Sequence, residues 1–308
     1  MQHVWKVIIN PYAGGNKDSS VWERILDELK SANILFEEEV SKYHRHIIEI
    51  VQKSLVSGFR KFIIIGGDGS LNELVNGIYN QTTIAAGEII TAHISLGTGN
   101  DWHKTHNLPV DSKLMIEKIK AGNSSVQDVG MVRYMDREQI KTNYFVNVAG
   151  MGFDAIVVKN TSQKKSLKKP RSKFSYLYSL FHSLLSYSCM NVSIRVDGQE
   201  VFHGSLFSVN VGIGKYNGGG MMQLPEAIPD DGLLDITIFR KMSKIKVLAN
   251  VKRLYDGSFK TLPEVSLFKG TEITIESERN VWLECDGEML GHSPARFAIL
   301  SSGFRFVN

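Results

Sequence analysis

Eight consecutive residues, Gly66-Gly67-Asp68-Gly69-Ser70-Leu71-Asn72-Glu73, constrain this chain more than any others. They follow the apolar run Phe62-Ile63-Ile64-Ile65, which reads as a buried strand, and lead into Leu74-Val75-Asn76-Gly77-Ile78, which reads as a helix. A glycine-rich turn from strand into helix aims backbone N–H groups and a helix N-terminus at one point, where an anion sits favourably. Glycine also lets the backbone approach that anion closely. The turn has no lysine, so it is not G-x-x-x-x-G-K-[ST], and its spacing is not G-x-G-x-x-G. Negative charge on a bound phosphate must then be met by backbone dipoles, a metal ion or a distant cation, and Asp68 is the natural metal-linked candidate.

The surrounding pattern places this turn in a layered sheet. Residues 4–9, 34–40, 62–65 and 92–96 read as strands, and residues 19–29 and 46–56 as helices with apolar residues in helical spacing. Such alternation predicts a parallel sheet covered by helices, whose ligands bind beyond the C-terminal ends of the strands. The segments 10–15, 66–70 and 97–101 each fall just after a strand, so they converge on one edge and predict a single nucleotide site. From about Gln127 strand-like runs dominate: 144–148, 190–196, 201–212, 234–239, 272–275, 280–284, 297–300 and 304–307. Helical insertions are expected near 174–186 and 244–255. The fold class is therefore α/β plus β, with a boundary near residues 121–128.

Composition narrows the partners. The chain has 308 residues and a formal charge of +4, yet Lys159, Lys164, Lys165, Lys168, Lys169, Arg171 and Lys173 stand together with no acid among them. Without those seven residues the remainder carries −3. The basicity is local, so an adhesive patch is expected and a nucleic-acid-binding surface is not. No apolar run approaches the roughly 20 residues of a membrane span. The N-terminal apolar run reads as a first strand, and the two cysteines are too few for a disulfide framework. The expectation is a soluble cytoplasmic protein. Metal-ligand spacing is absent among the nine histidines, and His44 and His46 read as surface or packing residues.

The sequence resembles the diacylglycerol kinase catalytic-domain family, which includes bacterial soluble lipid kinases, sphingosine kinases and ceramide kinases. Gly66-Gly67-Asp68-Gly69-Ser70-Leu71-Asn72-Glu73 is similar to its nucleotide-binding signature, and Leu96-Gly97-Thr98-Gly99-Asn100-Asp101 to its G-T-x-N-D motif. Asn10-Pro11 with Ala13-Gly14-Gly15, Asp231-Gly232-Leu233-Leu234-Asp235 and Asp286-Gly287-Glu288 match in the expected order. The resemblance implies an N-terminal NAD kinase-like domain of about residues 1–125, with strands of about 296–308 returning to it. It also implies a β-sandwich-like acceptor domain of 126–295. The implied activity is phosphoryl transfer from ATP, with Mg2+, to a hydroxyl of diacylglycerol or a related lipid at a membrane surface. A homodimer is likewise implied.

Roles follow from the same resemblance. Asp68 and Asp101 would organise the catalytic Mg2+, directly or through water. Asn10, Ala13, Gly14, Gly15, Ser41, Gly66, Gly67, Gly69, Ser70, Asn72, Glu73, Gly97, Thr98 and Asn100 would line the nucleotide. Asp286-Gly287 alone is a hairpin-turn signal; the resemblance places the catalytic carboxylates here, with Glu288 read as the proton acceptor and Asp286 as its partner, or the reverse. Asp231, with the carbonyls of Ile228 and Leu233, matches a structural Mg2+ segment, and the same residues also read as a turn into a strand. Gly218, Gly219 and Gly220 form an acceptor-cleft loop or simply a flexible one. Asp154 reads as a helix cap. Lys164, Lys165, Lys168, Lys169, Arg171 and Lys173 precede an aromatic, apolar segment, which suits docking on anionic lipid or a solvated loop before a packed helix. Trp102 and His103 depart from the family's usual residues after Asp101. A soluble NAD kinase shares G-G-D-G, and a nucleotide-binding regulator without turnover is the rival of another class.

Overall fold

The computed structural model describes residues 4–15, 19–97, 99–163 and 182–308. Thr98 and the basic residues Lys164, Lys165, Lys168, Lys169, Arg171 and Lys173 lie outside them, as does most of the helix expected near 174–186. The chain divides into two compact units, Met1–Val129 with Ser301–Asn308, and Gly130–Leu300.

In the first unit β1 (Trp5–Ile9), β2 (Phe36–Val40), β3 (Lys61–Gly66) and β4 (Ile90–Ser95) alternate with α1 (Ser20–Ser31), α2 (His46–Val56) and α3 (Asp68–Tyr79). Two further helices follow, α4 (Asp101–Thr105) and α5 (Ser112–Ala121). β1 pairs in parallel with β2 and β3, and β3 with β4. At the chain's end Arg305 and Phe306 pair in parallel with Ile90 and Thr91. Strands buried on both faces read as continuous apolar runs, as β1 and Phe62–Ile65 do. One face of the sheet packs Val7, Ile9, Ile63 and Ile65 on Leu26 and Leu29 of α1 and Ile116 and Ile119 of α5. α5 is capped by Asp111, whose carboxylate accepts Leu114 N at 3.1 Å.

The second unit is mainly antiparallel. β5 (Ser124–Asp136) leads into it, and it holds β6 (Gln139–Phe145), β7 (Val148–Gly152), α6 (Phe153–Gln163), β8 (Met190–Val196) and β9 (Gln199–Gly212). After them come β10 (Leu234–Arg240), α7 (Lys244–Asn250), β11 (Val265–Gly270), β12 (Glu272–Ser277), β13 (Trp282–Cys285) and β14 (Glu288–Val307). Strands run in the order β11-β10-β9-β7-β13-β14, while β8 and β12 pair with each other and with β9 and β14. Inward residues of both strand groups, among them Ile194, Val209, Ile236, Ile273, Leu283 and Phe297, share one core. A second core gathers Phe153, Val157, Phe207, Phe239 and Phe259 around α6.

Several boundaries differ from expectation for identifiable reasons. The strand expected over 144–148 is two strands, because the Asp286 carboxylate takes the N–H groups of Val146 and Val148 at the break. The two strands expected at 297–300 and 304–307 are one element, β14. The helix expected over 244–255 is α only to Asn250 and then tightens into a 3-10 turn, Val251–Leu254. Among the described residues no helix is long and apolar enough to cross a membrane.

Candidate functional site

In the first unit three loops meet at the C-terminal ends of β1, β3 and β4. Asn10 N donates to Ile65 O at 2.9 Å, and Leu96 N to Gly66 O at 2.7 Å. Asn10 Nδ2 donates to Ser70 Oγ at 2.9 Å, tying the first loop to α3. Gly14 has φ 70°, and a Cβ on it would lie 2.4 Å from Leu96 O, so no other residue fits there. A Cβ on Gly97 would lie 3.2 Å from Gly67 Cα. Backbone is thus packed on backbone around the start of α3, whose first N–H groups have no helical partner. Ala13 and Gly15 lie in the first of these loops, and Gly69 in the first turn of α3.

The two acidic candidates come together here. A Cβ on Gly99 would lie 3.2 Å from Asp68 Oδ2 and 3.4 Å from Asp101 Oδ2, and Asp101 N lies 3.5 Å from Asp68 Oδ2. Lys104 Nζ sits 3.3 Å from Asp101 Oδ1. Asn100 is in the left-handed region at φ 52°, and its Oδ1 accepts from Ser95 Oγ. Two carboxylates facing a side-chain-free position fit a magnesium ion that keeps waters and takes its other oxygens from phosphate.

Other nucleotide candidates have structural duties. Glu73 accepts Arg45 N at 3.0 Å and Ile47 N at 3.2 Å, so its carboxylate fastens the turn that starts α2. Asn72 is buried and its Oδ1 accepts Asn76 Nδ2 at 3.1 Å. Ser41 is buried at the end of β2, with its N–H on Ile9 O at 2.8 Å.

Sequence reasoning missed a histidine beneath the cradle. His93 is buried on β4, and its Nε2 lies 3.1 Å from Gly66 O, which fixes Nε2 as the protonated donor nitrogen. Burial, reinforced by neighbouring His103, holds its pKa well below the ordinary value, so the ring is neutral. Trp102 lies beside it, wholly buried, donating to Gln127 Oε1 at 2.9 Å and packing on His106 and Phe306. The residues that depart from the family pattern are packing residues. Burial likewise lowers His106 to about 4.

In the second unit Asp286 and Gly287, at φ 47° and 82°, make the two-residue turn between β13 and β14. Asp286 is buried, and its two carboxylate oxygens accept Val148 N at 3.1 Å and Val146 N at 3.2 Å. It is a clamp on the backbone rather than a free partner of Glu288. Glu288 is half-buried and makes no side-chain hydrogen bond or ion pair among the described residues.

A further acid, Glu284, was invisible in the sequence because one glutamate in a short strand reads as solvent-facing. It is wholly buried, and its two oxygens accept Asn217 Nδ2 at 3.1 Å and Gly287 N at 2.9 Å. Burial pushes its pKa to about 8, against the pull of the Gly287 N–H. Asn217 opens the glycine loop, where Gly218, Gly219 and Gly220 have φ of 64°, 88° and 102° and Asn217 bridges to Met221. Three left-handed residues in a row require glycine. Nearby, Asp154 in the first turn of α6 accepts Ser208 Oγ at 2.7 Å, and burial raises its pKa. Asp154, Ser208, Gln223 and Asn250 are the polar residues of a cavity otherwise lined by apolar ones including Phe153, Phe207 and Leu254.

In the expected structural Mg2+ segment a lysine ammonium already stands among the oxygens. Asp231 Oδ1 accepts Leu233 N at 3.0 Å, and its Oδ2 lies 3.2 Å from Lys269 Nζ. No set of three or more His, Cys, Asp or Glu side chains is arranged for a metal among the described residues.

Comparison with known proteins agrees with this architecture. Residues 4–132 match the diacylglycerol kinase catalytic domain, and residues 147–307 the YegS C-terminal NAD kinase beta sandwich-like domain. The chain therefore belongs to the diacylglycerol kinase family of lipid kinases. It is 28% identical to the Bacillus subtilis protein YtlR over 321 residues, 99% of each chain. It is also 28% identical to a diacylglycerol kinase of Staphylococcus carnosus, over 95% of this chain and 90% of that one. A crystal structure of a diacylglycerol kinase from Bacillus anthracis strain Sterne shares the fold at TM-score 0.71 and 22% identity, covering 99% of this chain and 96% of that one.

Proposed function

We propose that this protein is an ATP-dependent kinase that phosphorylates a hydroxyl of diacylglycerol or a related lipid. The observation that carries the reading is the cradle of the first unit, with Asp68 and Asp101 facing the bare Gly99. Backbone N–H groups of the three loops hold the phosphates, and His93 fixes the Gly66 carbonyl away from them. Asp68 and Asp101 would hold Mg2+, which when bound neutralises charge on the β- and γ-phosphates. Glu288 accepts the lipid hydroxyl proton as the oxygen bonds to the γ-phosphorus and the bond to ADP breaks. Asp286 positions that glutamate by locking the turn. The apolar cavity with its polar residues supports an acceptor that carries a hydrocarbon chain, and the basic run would dock on anionic membrane.

The test is to incubate the protein with ATP radiolabelled in the γ-phosphate, magnesium and mixed micelles of candidate lipids, with NAD as a parallel acceptor. Label in a lipid, lost in Glu288→Gln, is the expected result. Label in NAD alone, or ATP binding with no transfer to any acceptor, refutes the proposal.

A further inference from the structure

The acidic turn before β10 already contains a cation, supplied by the chain itself. Asp235 stands directly opposite Lys269 in the β10–β11 pairing. Lys269 Nζ lies 3.2 Å from Asp231 Oδ2, 3.1 Å from Asp235 Oδ2 and 3.1 Å from the Glu226 carbonyl oxygen. An ammonium group has three N–H donors; Asp231 Oδ2 and the Glu226 carbonyl accept from it, and Asp235 Oδ2 lies at ion-pair distance. Two carboxylates and a backbone carbonyl are the kind of oxygen set that a hard divalent ion takes.

Asp235 is buried, so its carboxylate is withdrawn from water, and the Lys269 ammonium 3.1 Å away is the cation that faces it. A magnesium ion needs its oxygens at about 2.1 Å, so it and the ammonium compete for the same ligands. We propose that Lys269 is an internal cation that replaces a structural divalent ion in this chain. The turn around residues 226–233 and the β10–β11 edge then hold together without metal. The proposal is independent of which acceptor the enzyme uses.

Hydrogen exchange of peptides covering β10 and β11, in the full chain without nucleotide, tests it and is blind to metal bound at Asp68 and Asp101. Exchange in wild type should be the same in chelator, millimolar Mg2+ and millimolar Ca2+. Lys269→Ala should exchange roughly tenfold faster there, as removing the partner of the buried Asp235 predicts, and either ion should slow it again. Adding Asp231→Asn should abolish that rescue. Chelator-sensitive protection of β10 in wild type would overturn the proposal, as would a Lys269→Ala chain that no divalent ion restores. If Lys269→Ala does not fold, Lys269→Gln takes its place, and the wild-type comparison decides independently of either.

Discussion

The buried Glu284 gives the sharpest pH prediction. Folded, it keeps its proton to about pH 8; its ordinary value is 4.5. Between those values the folded chain holds one proton more than the unfolded chain, so raising the pH favours unfolding. The stabilising difference is fully present below about pH 4.5 and is lost as pH climbs through about 8. One proton corresponds to about 1.4 kcal/mol per pH unit, or roughly 5 kcal/mol over the window as an upper bound. Glu284→Gln removes the titration. At pH 5 wild type holds the protonated acid, which like the amide of the variant offers Asn217 Nδ2 and Gly287 N one carbonyl oxygen, so the two should differ little there.

The two stability curves should therefore diverge as pH rises, with Glu284→Gln the more stable toward pH 8. Taking the difference between variant and wild type matters, since other groups titrate too. His93, His103 and His106 have lowered pKa values from burial, so they make the first unit more stable as pH rises toward 6.5. Asp154 and Asp235, raised by burial, act in the same direction as Glu284. Hydrogen exchange of β7 and β13 peptides between pH 5 and 8.5, corrected for intrinsic exchange, reads the second unit alone. A difference that stays constant across that range refutes the buried, proton-bearing Glu284.

Three other outcomes are expected. Gly99→Ala puts a methyl 3.2–3.4 Å from both carboxylates, so Mg2+-dependent ATP binding measured by calorimetry should weaken about tenfold, equivalent to about 1.4 kcal/mol, with unfolding temperature little changed. Asp286→Asn leaves one of the Val146 and Val148 N–H groups without an acceptor and should cost about 1–3 kcal/mol in urea unfolding, whereas Glu288→Gln should leave stability intact and lower transfer by about 10²–10⁴-fold. Glu73→Ala frees the two amides it holds at the start of α2; thermal unfolding should fall by several degrees and the loss should exceed any change in KM for ATP.

What the sequence disclosed was governed by range. Phe62–Ile65 could be read as a strand and Gly66–Ser70 as a phosphate turn because hydrophobic period and glycine chemistry act over a few residues. The family resemblance supplied the pairing of Asp68 with Asp101, and the structure sets both against Gly99. Roles set by distant partners stayed hidden. Glu73 holds amides nearly a full helix–strand unit earlier in the chain, and Asp286 holds amides of a segment that precedes the whole of β8 to β13. Glu284 is recognisable only once the glycine loop has folded Asn217 over it.

The same observations give a way to separate working carboxylates from structural ones. In the second unit Asp286 spends its oxygens on backbone N–H groups, Glu284 on Asn217 and Gly287, and Asp231 on Leu233 and Lys269. A carboxylate so committed gives up hydrogen bonds whenever it accepts a substrate proton, which raises the barrier of that step. Glu288 gives up none to the described residues, and its half-buried side chain can reach solvent. The neighbouring acids fix the turn from which it projects. A general base must take up a proton from a fixed scaffold, and on the proposed function Asp286-Gly287-Glu288 would divide those two duties between residues two apart in the chain.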